Sequence, residues 1–247
     1  MILRRIATAL RKQDWFSVMI ETLIVVLGVF IGLQVNNWNE ARQERIETHS
    51  LLDRLERDFE QQLALTDRSL AQQVQLIDAT GRLITGIRAG QFDEATLAGD
   101  VAFVDSLSTM PGPSAAFQEL VSTGRMRLIG NADLRGELYG YDGYVSFVSA
   151  QFAQFGDPIQ ALSGVLQRSK TLAISGRPSE SFAELGAVEG VDPAILLEDP
   201  QILYALQTAY IVQDNYHLVL VTIRQGIERI LELLEEERGT TGRGQAP

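Results

Sequence analysis

The strongest hydropathy feature of the chain is an apolar run near its N-terminus. Residues 16–35 have the sequence FSVMIETLIVVLGVFIGLQV, in which Glu21 is the one charged residue. A helix of this length rises about 30 Å, the thickness of the hydrocarbon core of a bilayer. Trp15 and Trp38 flank the run at positions typical of aromatic interface anchors. The pattern predicts one transmembrane helix over residues 16–35.

The charges beside this run predict its orientation. Four basic residues precede it, whereas acidic and basic residues alternate after it, and positive charge marks the cytoplasmic side. No A-x-A-like site follows, so we expect an uncleaved anchor in an inner (plasma) membrane, with the bulk of the chain outside the cytoplasm. Residues 1–15 form a basic cytoplasmic tail, either an amphipathic helix on the inner leaflet or only a topogenic signal.

One face of the predicted span carries a candidate contact. Gly28 and Gly32 form a G-x-x-x-G pattern that allows two helix backbones to approach closely. Glu21 and Val25 lie close to the same stripe, because seven residues are nearly two turns. A carboxylate inside a span is costly unless it is paired, neutral or near the interface. The face Glu21–Val25–Gly28–Gly32 is therefore a candidate for span association; snorkelling of Glu21 and a chance glycine pattern are the alternatives.

Beyond the span, helical period replaces any strand alternation. It predicts a long helix to about Ile87, a helix from Asn131 with 4-3 apolar spacing, a loop at residues 171–191, and a last helix from Pro200 to Arg238. The predicted helix N-caps are Ser114, Asn131, Asp192 and Asp199. The prediction is an all-α fold, with one N-terminal transmembrane helix followed by an antiparallel bundle of three long and two or three short helices. The extracytoplasmic domain covers residues 36–238, and residues 239–247 form a flexible tail. Predicted inward residues are Phe59, Leu70, Val74, Tyr141, Val148, Phe152, Leu206, Tyr210, Leu220 and Ile227.

Candidate chemistry is sparse. The chain has no cysteine, and Asp214-x-x-His217 offers half of a bundle metal site without the matching half at His49. We therefore predict no catalytic residues, no cofactor and no metal. Tyr139, Tyr144 and Phe147 are candidates for an apolar groove, with plain core packing of the aromatic helix as the alternative.

Two further sequence features concern helix packing and charge. Gly136 and Gly140, with Gly143, weaken a helix interior and are interpreted as permitting a close helix crossing. The acidic run LLEEER at residues 233–238 opposes the helix dipole and is either solvated or a patch for a basic partner.

Charge excludes one class of partner. The net charge is −11, and residues 36–247 hold 17 basic and 30 acidic side chains. A domain this acidic repels the phosphate backbone of nucleic acids, so nucleic-acid binding is excluded. The predicted partners are the lipid bilayer and either a second copy of the chain or another membrane or envelope protein.

Two stretches carry a resemblance. Residues 21–45, ETLIVVLGVFIGLQVNNWNEARQER, and residues 117–141, FQELVSTGRMRLIGNADLRGELYGY, resemble a family of bacterial single-span membrane proteins with a domain of unknown function. That family has a Gly-Glu start to its span, where this chain has Ile20 before Glu21. Its Gln-x-Asn-Asn-Trp-Asn-Glu run corresponds to residues 34–40. The resemblance implies a bacterial cell envelope location and no particular activity.

These observations favour a membrane-anchored extracytoplasmic interaction or assembly protein. The first alternative is a ligand-binding or sensory accessory module that uses the aromatic helix, residues 132–168. The second is an enzyme, which the lack of a paired nucleophile and base disfavours.

Overall fold

The computed structural model describes residues 15–173 and 188–243. The chain divides into two compact units, residues 1–51 and residues 52–247. The described part is helical apart from two short strands, so the predicted all-α class is confirmed. The elements are α1 (Trp15–Ala89), α2 (Glu94–Phe103), α3 (Ala115–Ser122), a 3₁₀ turn (Arg125–Leu128), α4 (Ala132–Leu166), β1 (Lys170–Leu172), β2 (Val188–Val191), α5 (Pro193–Glu198) and α6 (Pro200–Arg243).

The helix starts follow from local side-chain chemistry. The Ser114 hydroxyl accepts a hydrogen bond from the Phe117 N–H (3.0 Å), and Asn131 Oδ1 accepts from the N–H groups of Asp133 and Leu134. Such bonds satisfy donors that the first turn of a helix leaves unpaired. Asp192 and Asp199 cap the two proline-led helices in the same way. These predicted caps are confirmed.

The helix ends agree less completely with the sequence pattern. α1 ends at Ala89, before Gly90, whose positive φ of 71° favours glycine. α6 continues through Gly239 to Arg243, five residues beyond its predicted end. The region predicted as a loop at residues 171–191 contains parts of an antiparallel pair, with Thr171 opposite Gly190.

α6 runs antiparallel to the other two long helices. Against α1, Arg224 pairs with Asp67 (2.7 Å) and Gln213 bonds to Thr80 (2.7 Å), so residue numbers rise on one helix as they fall on the other. Against α4, Tyr216 packs on Phe152, with ring centroids 5.6 Å apart. Near the C-terminal end of α6, Glu237 bonds to Gly130 and Asn131, which precede α4. It follows that α1 and α4 run in the same direction.

Because α1 and α4 are parallel, the chain between them has to return along the bundle. Its contacts trace this return: Ser108 bonds to Gln73, and Ser114 bonds farther back to Asp58 (2.6 Å). Asp58 also accepts the Ala116 N–H, which adds a second acceptor at the start of α3. The return segment therefore lies against α1 through polar contacts as well as apolar ones.

The core follows 4-3 spacing on each long helix, as heptad packing requires. Most of the predicted inward residues are buried, namely Phe59, Tyr141, Val148, Leu206, Leu220 and Ile227. Leu70 and Phe152 are only half-buried, and Val74 and Tyr210 are exposed, so these four assignments are corrected. On α1 the inward line passes instead through polar residues, among them Gln73 and Thr80, which are fully buried.

Two buried glutamines explain why polar residues replace apolar ones on the inward line of α1. Gln73 Nε2 donates to the Gln213 backbone oxygen (2.9 Å), and Gln73 Oε1 accepts from the N–H and the hydroxyl of Ser108. Gln213 Nε2 donates to the Val104 oxygen (2.9 Å), while Gln213 Oε1 accepts from Thr80. Both amides therefore have a hydrogen-bond partner at the nitrogen and at the oxygen, which reduces the cost of burying them in a mainly apolar core.

This network generates a stability prediction. Gln73→Leu leaves the N–H and the hydroxyl of Ser108 without this partner, at roughly 1–3 kcal/mol for each buried group, whereas the Gln213 backbone oxygen keeps its hydrogen bond within α6. We expect the free energy of unfolding of the detergent-solubilised chain, measured by denaturant titration with circular dichroism, to fall by about 3 kcal/mol. Gln75→Leu, on the exposed side of α1, is the control and should change it by less than about 0.5 kcal/mol. Equal effects would contradict the buried role of Gln73.

Candidate functional site

The predicted association face lies on the first unit and is open. Glu21, Val25, Gly28 and Gly32 are exposed, and a Cβ added at either glycine would meet no atom within 4 Å. Described residues 19–35 of α1 are exposed throughout, and the apolar window they contain is long and hydrophobic enough to cross a membrane by length and composition. The four candidate residues share one face of α1 because their spacings are four, three and four.

The residues after the predicted span form an ordered helical turn. Trp38 is exposed, and the Arg42 guanidinium carbon lies 5.9 Å from its ring centroid, within reach of a cation–π contact. Asn36 Nδ2 donates to Glu40 Oε1 (2.7 Å) one turn away. Trp15 is the first residue of α1. The Gln-x-Asn-Asn-Trp-Asn-Glu run thus has local partners of its own while keeping its indole exposed.

The three aromatic residues predicted to form a groove have different environments on α4. Tyr139 packs edge-on against Phe117 of α3, with centroids 5.3 Å apart, and remains half exposed. Tyr144 is half-buried, and Phe147 is 63% exposed. Their heptad neighbours Phe152 and Phe155 pack on Tyr216 instead. The structure therefore separates the aromatic helix into a core side and an exposed side.

The glycines of α4 do not lie at a helix crossing among the described residues. A Cβ added at Gly136, Gly140 or Gly143 would meet no atom of that part of the chain within 4 Å. The predicted close crossing is therefore absent from the described part of the second unit. Neighbouring side chains lie instead within 4 Å of a Cβ built at Gly81 and Gly86 of α1, at Gly130, and at Gly226 of α6.

A cleft that the sequence did not suggest lies around those two α1 glycines. It has a volume of about 760 Å³ and lies between the end of α1, the start of α2 and Tyr210 of α6. A Cβ at Gly86 would come within 2.4 Å of the Phe92 ring, and one at Gly81 within 3.9 Å of the Tyr210 ring. The lack of side chains at these positions lets two aromatic rings approach the helix. In the sequence, the signal for this cleft is the pair Gly81 and Gly86, five residues apart and followed by the aromatic residue Phe92.

Electrostatics give the cleft a preference for cations. Asp78, Asp93, Asp100 and Arg82 line it, so carboxylates outnumber guanidinium groups by three to one. Arg82 is bound through two nitrogens to Asp100 (2.9 and 2.6 Å), whose side chain is 8% exposed. That hydrogen bond and the nearby charge of Asp100 raise the pKa of Arg82. Asp78 also acts on Arg82, and Asp93 Oδ1 accepts the Ala95 N–H at the start of α2, so three carboxylates and one guanidinium give the lining a net charge of −2.

Among the described residues, the two histidines and the acidic end of α6 do not come together in one site. Within residues 19–173 and 188–239 of the structure, no three His, Asp or Glu side chains are grouped to hold a metal ion. His217 is half-buried, with Nδ1 enclosed. In the LLEEER run, Glu237 is buried and its carboxylate accepts hydrogen bonds from the N–H groups of Gly130 (2.7 Å) and Asn131 (3.1 Å). Arg238 of the same run pairs with Asp53 and Glu56, so both residues have a structural use.

Comparison with known proteins adds no assignment. No protein-family model, no curated protein and no solved structure matches this chain. The resemblance in residues 21–45 and 117–141 therefore remains a prediction.

Proposed function

We propose that this protein is a membrane-anchored interaction or assembly protein of the bacterial cell envelope. The observation that carries the proposal is the apolar window of α1, whose described residues are exposed from Met19 to Val35. Apolar surface on this scale is covered by lipid or by other proteins, because water contact costs about 25 cal/mol per Å². The basic residues before the window favour a cytoplasmic N-terminus and an extracytoplasmic second unit.

The partner in the membrane is proposed to meet the face Glu21–Val25–Gly28–Gly32. Lipid provides no hydrophobic drive between helices, so association depends on close packing and on polar groups. The glycines offer space for a second backbone, and Glu21 offers a polar group that gains from a partner. A second copy or another envelope protein fits this chemistry. The proposal assigns no catalytic step to the chain.

The topology is tested with reporters fused after Pro247. Alkaline phosphatase, which folds only outside the cytoplasm, should be active in a bacterial host, and a fluorescent protein that folds only inside should be dark. Replacing the four basic residues before the span by glutamine should weaken this asymmetry, because positive charge sets the orientation. A dark phosphatase with a bright cytoplasmic reporter would refute the topology.

Span association is tested with a membrane two-hybrid assay. Replacing both Gly28 and Gly32 by Ile should reduce the signal to background, because the side chains keep the backbones apart. The matched control replaces Leu27 and Leu33 by Ile, which conserves volume off the proposed face and should leave the signal unchanged. Equal signals from both variants and the unaltered chain would eliminate the glycine face.

The cleft supports a second candidate function, ligand binding, at a place other than the aromatic helix. Its two aromatic walls and net negative lining suit a small organic cation with an apolar body, such as a quaternary ammonium group. The rings attract the cation through their π faces, and Asp78 and Asp93 add charge at the rim.

This candidate is tested with choline and its uncharged carbon analogue 3,3-dimethylbutan-1-ol. Choline should produce saturable NMR shifts at cleft residues, whereas the neutral analogue should not. Asp78→Asn and Tyr210→Leu should each weaken choline binding roughly two- to fivefold, in line with about 0.5–1 kcal/mol for an exposed cation–π contact. Equal responses to choline and the alcohol, or no response to either, would contradict the candidate.

A further inference from the structure

The outer face of α6 carries a line of large apolar side chains. Tyr204, Ile211 and Leu218 follow one another at seven-residue steps and are 74%, 61% and 58% exposed. Seven residues are nearly two helical turns, so these three side chains lie above one another on the helix. We call Tyr204, Ile211 and Leu218 the outer seam.

The outer seam is on the opposite side of α6 from the core. At about 100° per residue, Ile211 points roughly 140–160° away from the buried residues Tyr216 and Gln213. The second unit therefore packs on one side of α6 and leaves the outer seam facing away from it. A helix of a single folded domain needs only one apolar line, and α6 has two.

The residues between the seam members complete a heptad pattern. Thr208, Asn215 and Thr222 follow them at four-residue steps, which gives 4-3 spacing along the outer face. In heptad terms the apolar residues occupy d positions and the polar residues a positions. A single Asn at an a position favours a parallel two-stranded pairing in one register, at some cost in stability.

The near absence of charged residues also distinguishes this part of α6. Between residues 200 and 223, Asp214 is the one charged residue by sequence, although the whole chain carries −11. Two copies of an acidic chain repel each other over most of their surfaces. A face without a run of like charges is where a second copy meets the least repulsion.

We propose that the outer seam of α6 pairs in parallel with the outer seam of a second copy of this chain. The inference rests on the proposed function, because a shared membrane anchor brings two copies of the chain together. Parallel pairing puts Ile211 against Ile211, Leu218 against Leu218 and Asn215 against Asn215, where two side-chain amides can bond to each other.

The area of the seam limits the strength of this contact. From Tyr204 to Leu218 the outer seam is about 21 Å long, and a face about 10 Å wide gives roughly 210 Å² per copy. A stable interface buries about 800 Å² per partner, so the seam alone pairs weakly between free chains. Anchoring two copies in one membrane raises their effective concentration and makes a weak second contact sufficient.

The absence of cysteine from the chain permits a direct test. Ile211→Cys and Leu218→Cys are introduced singly into the full chain in native membranes, followed by mild oxidation. Both should give disulfide-linked dimers, because d positions of a parallel pair bring the Cβ atoms near disulfide distance. Tyr210→Cys is the matched control: it is exposed and adjacent, but about 100° off the seam, and should give no dimer above background.

The outcomes separate this inference from the proposed function. Dimers from Ile211→Cys without dimers from Leu218→Cys would indicate an antiparallel contact and overturn parallel pairing. Dimers from all three variants would indicate random collision and overturn the seam. If Ile211→Cys and Leu218→Cys give no dimers while the two-hybrid signal of the span is unchanged, the seam pairing is wrong and the proposed function stands. Seam dimers that persist in the Gly28→Ile, Gly32→Ile variant would support the seam even where the span face fails.

Discussion

The buried pair Gln73 and Gln213 is the constraint on which the second unit depends. Its amides join α1 to α6 and hold the chain at Val104 and Ser108 against both helices. An apolar core tolerates several registers between helices, because apolar contacts have little direction. Two amides that must satisfy every donor and acceptor tolerate one register. The Tyr216 hydroxyl, which donates to the Ser108 oxygen (3.2 Å), adds to the same anchoring point, and burial raises the pKa of Tyr216.

The direction of the helices follows from this anchoring. With Ser108 held at Gln73, the chain has to travel back toward Asp58 before α4 begins. Glu237 completes the arrangement by binding the backbone ahead of α4 with its carboxylate, close to the helix end where negative charge is favourable. The acidic run that opposes the dipole of α6 thus stabilises the start of its neighbour α4, which explains how so unfavourable a helix end is tolerated.

Three exposed surfaces share one property, the lack of a partner helix in the described part of the chain. The span face, the glycine line of α4 and the outer seam of α6 each have the spacing of a helix contact, and none has a neighbouring helix among those residues. The cleft beside Gly81 and Gly86 differs, since it is concave, charged and lined by aromatic rings. The proposed assembly and the candidate ligand binding therefore depend on different parts of the molecule and can be tested independently.

The sequence alone determined the apolar window, the all-α class, the caps at Ser114 and Asn131, and the core line of α4. These depend on local period and on side chains that bond to their own first turn. Only the tertiary structure decided that Gln73 and Thr80 are inward and that Val74 and Tyr210 are outward. A polar residue is buried where distant groups, here on α6 and after α2, supply its hydrogen bonds, and the sequence does not indicate that they meet. The cleft depends on the same long-range packing, because its walls come from three separate helices.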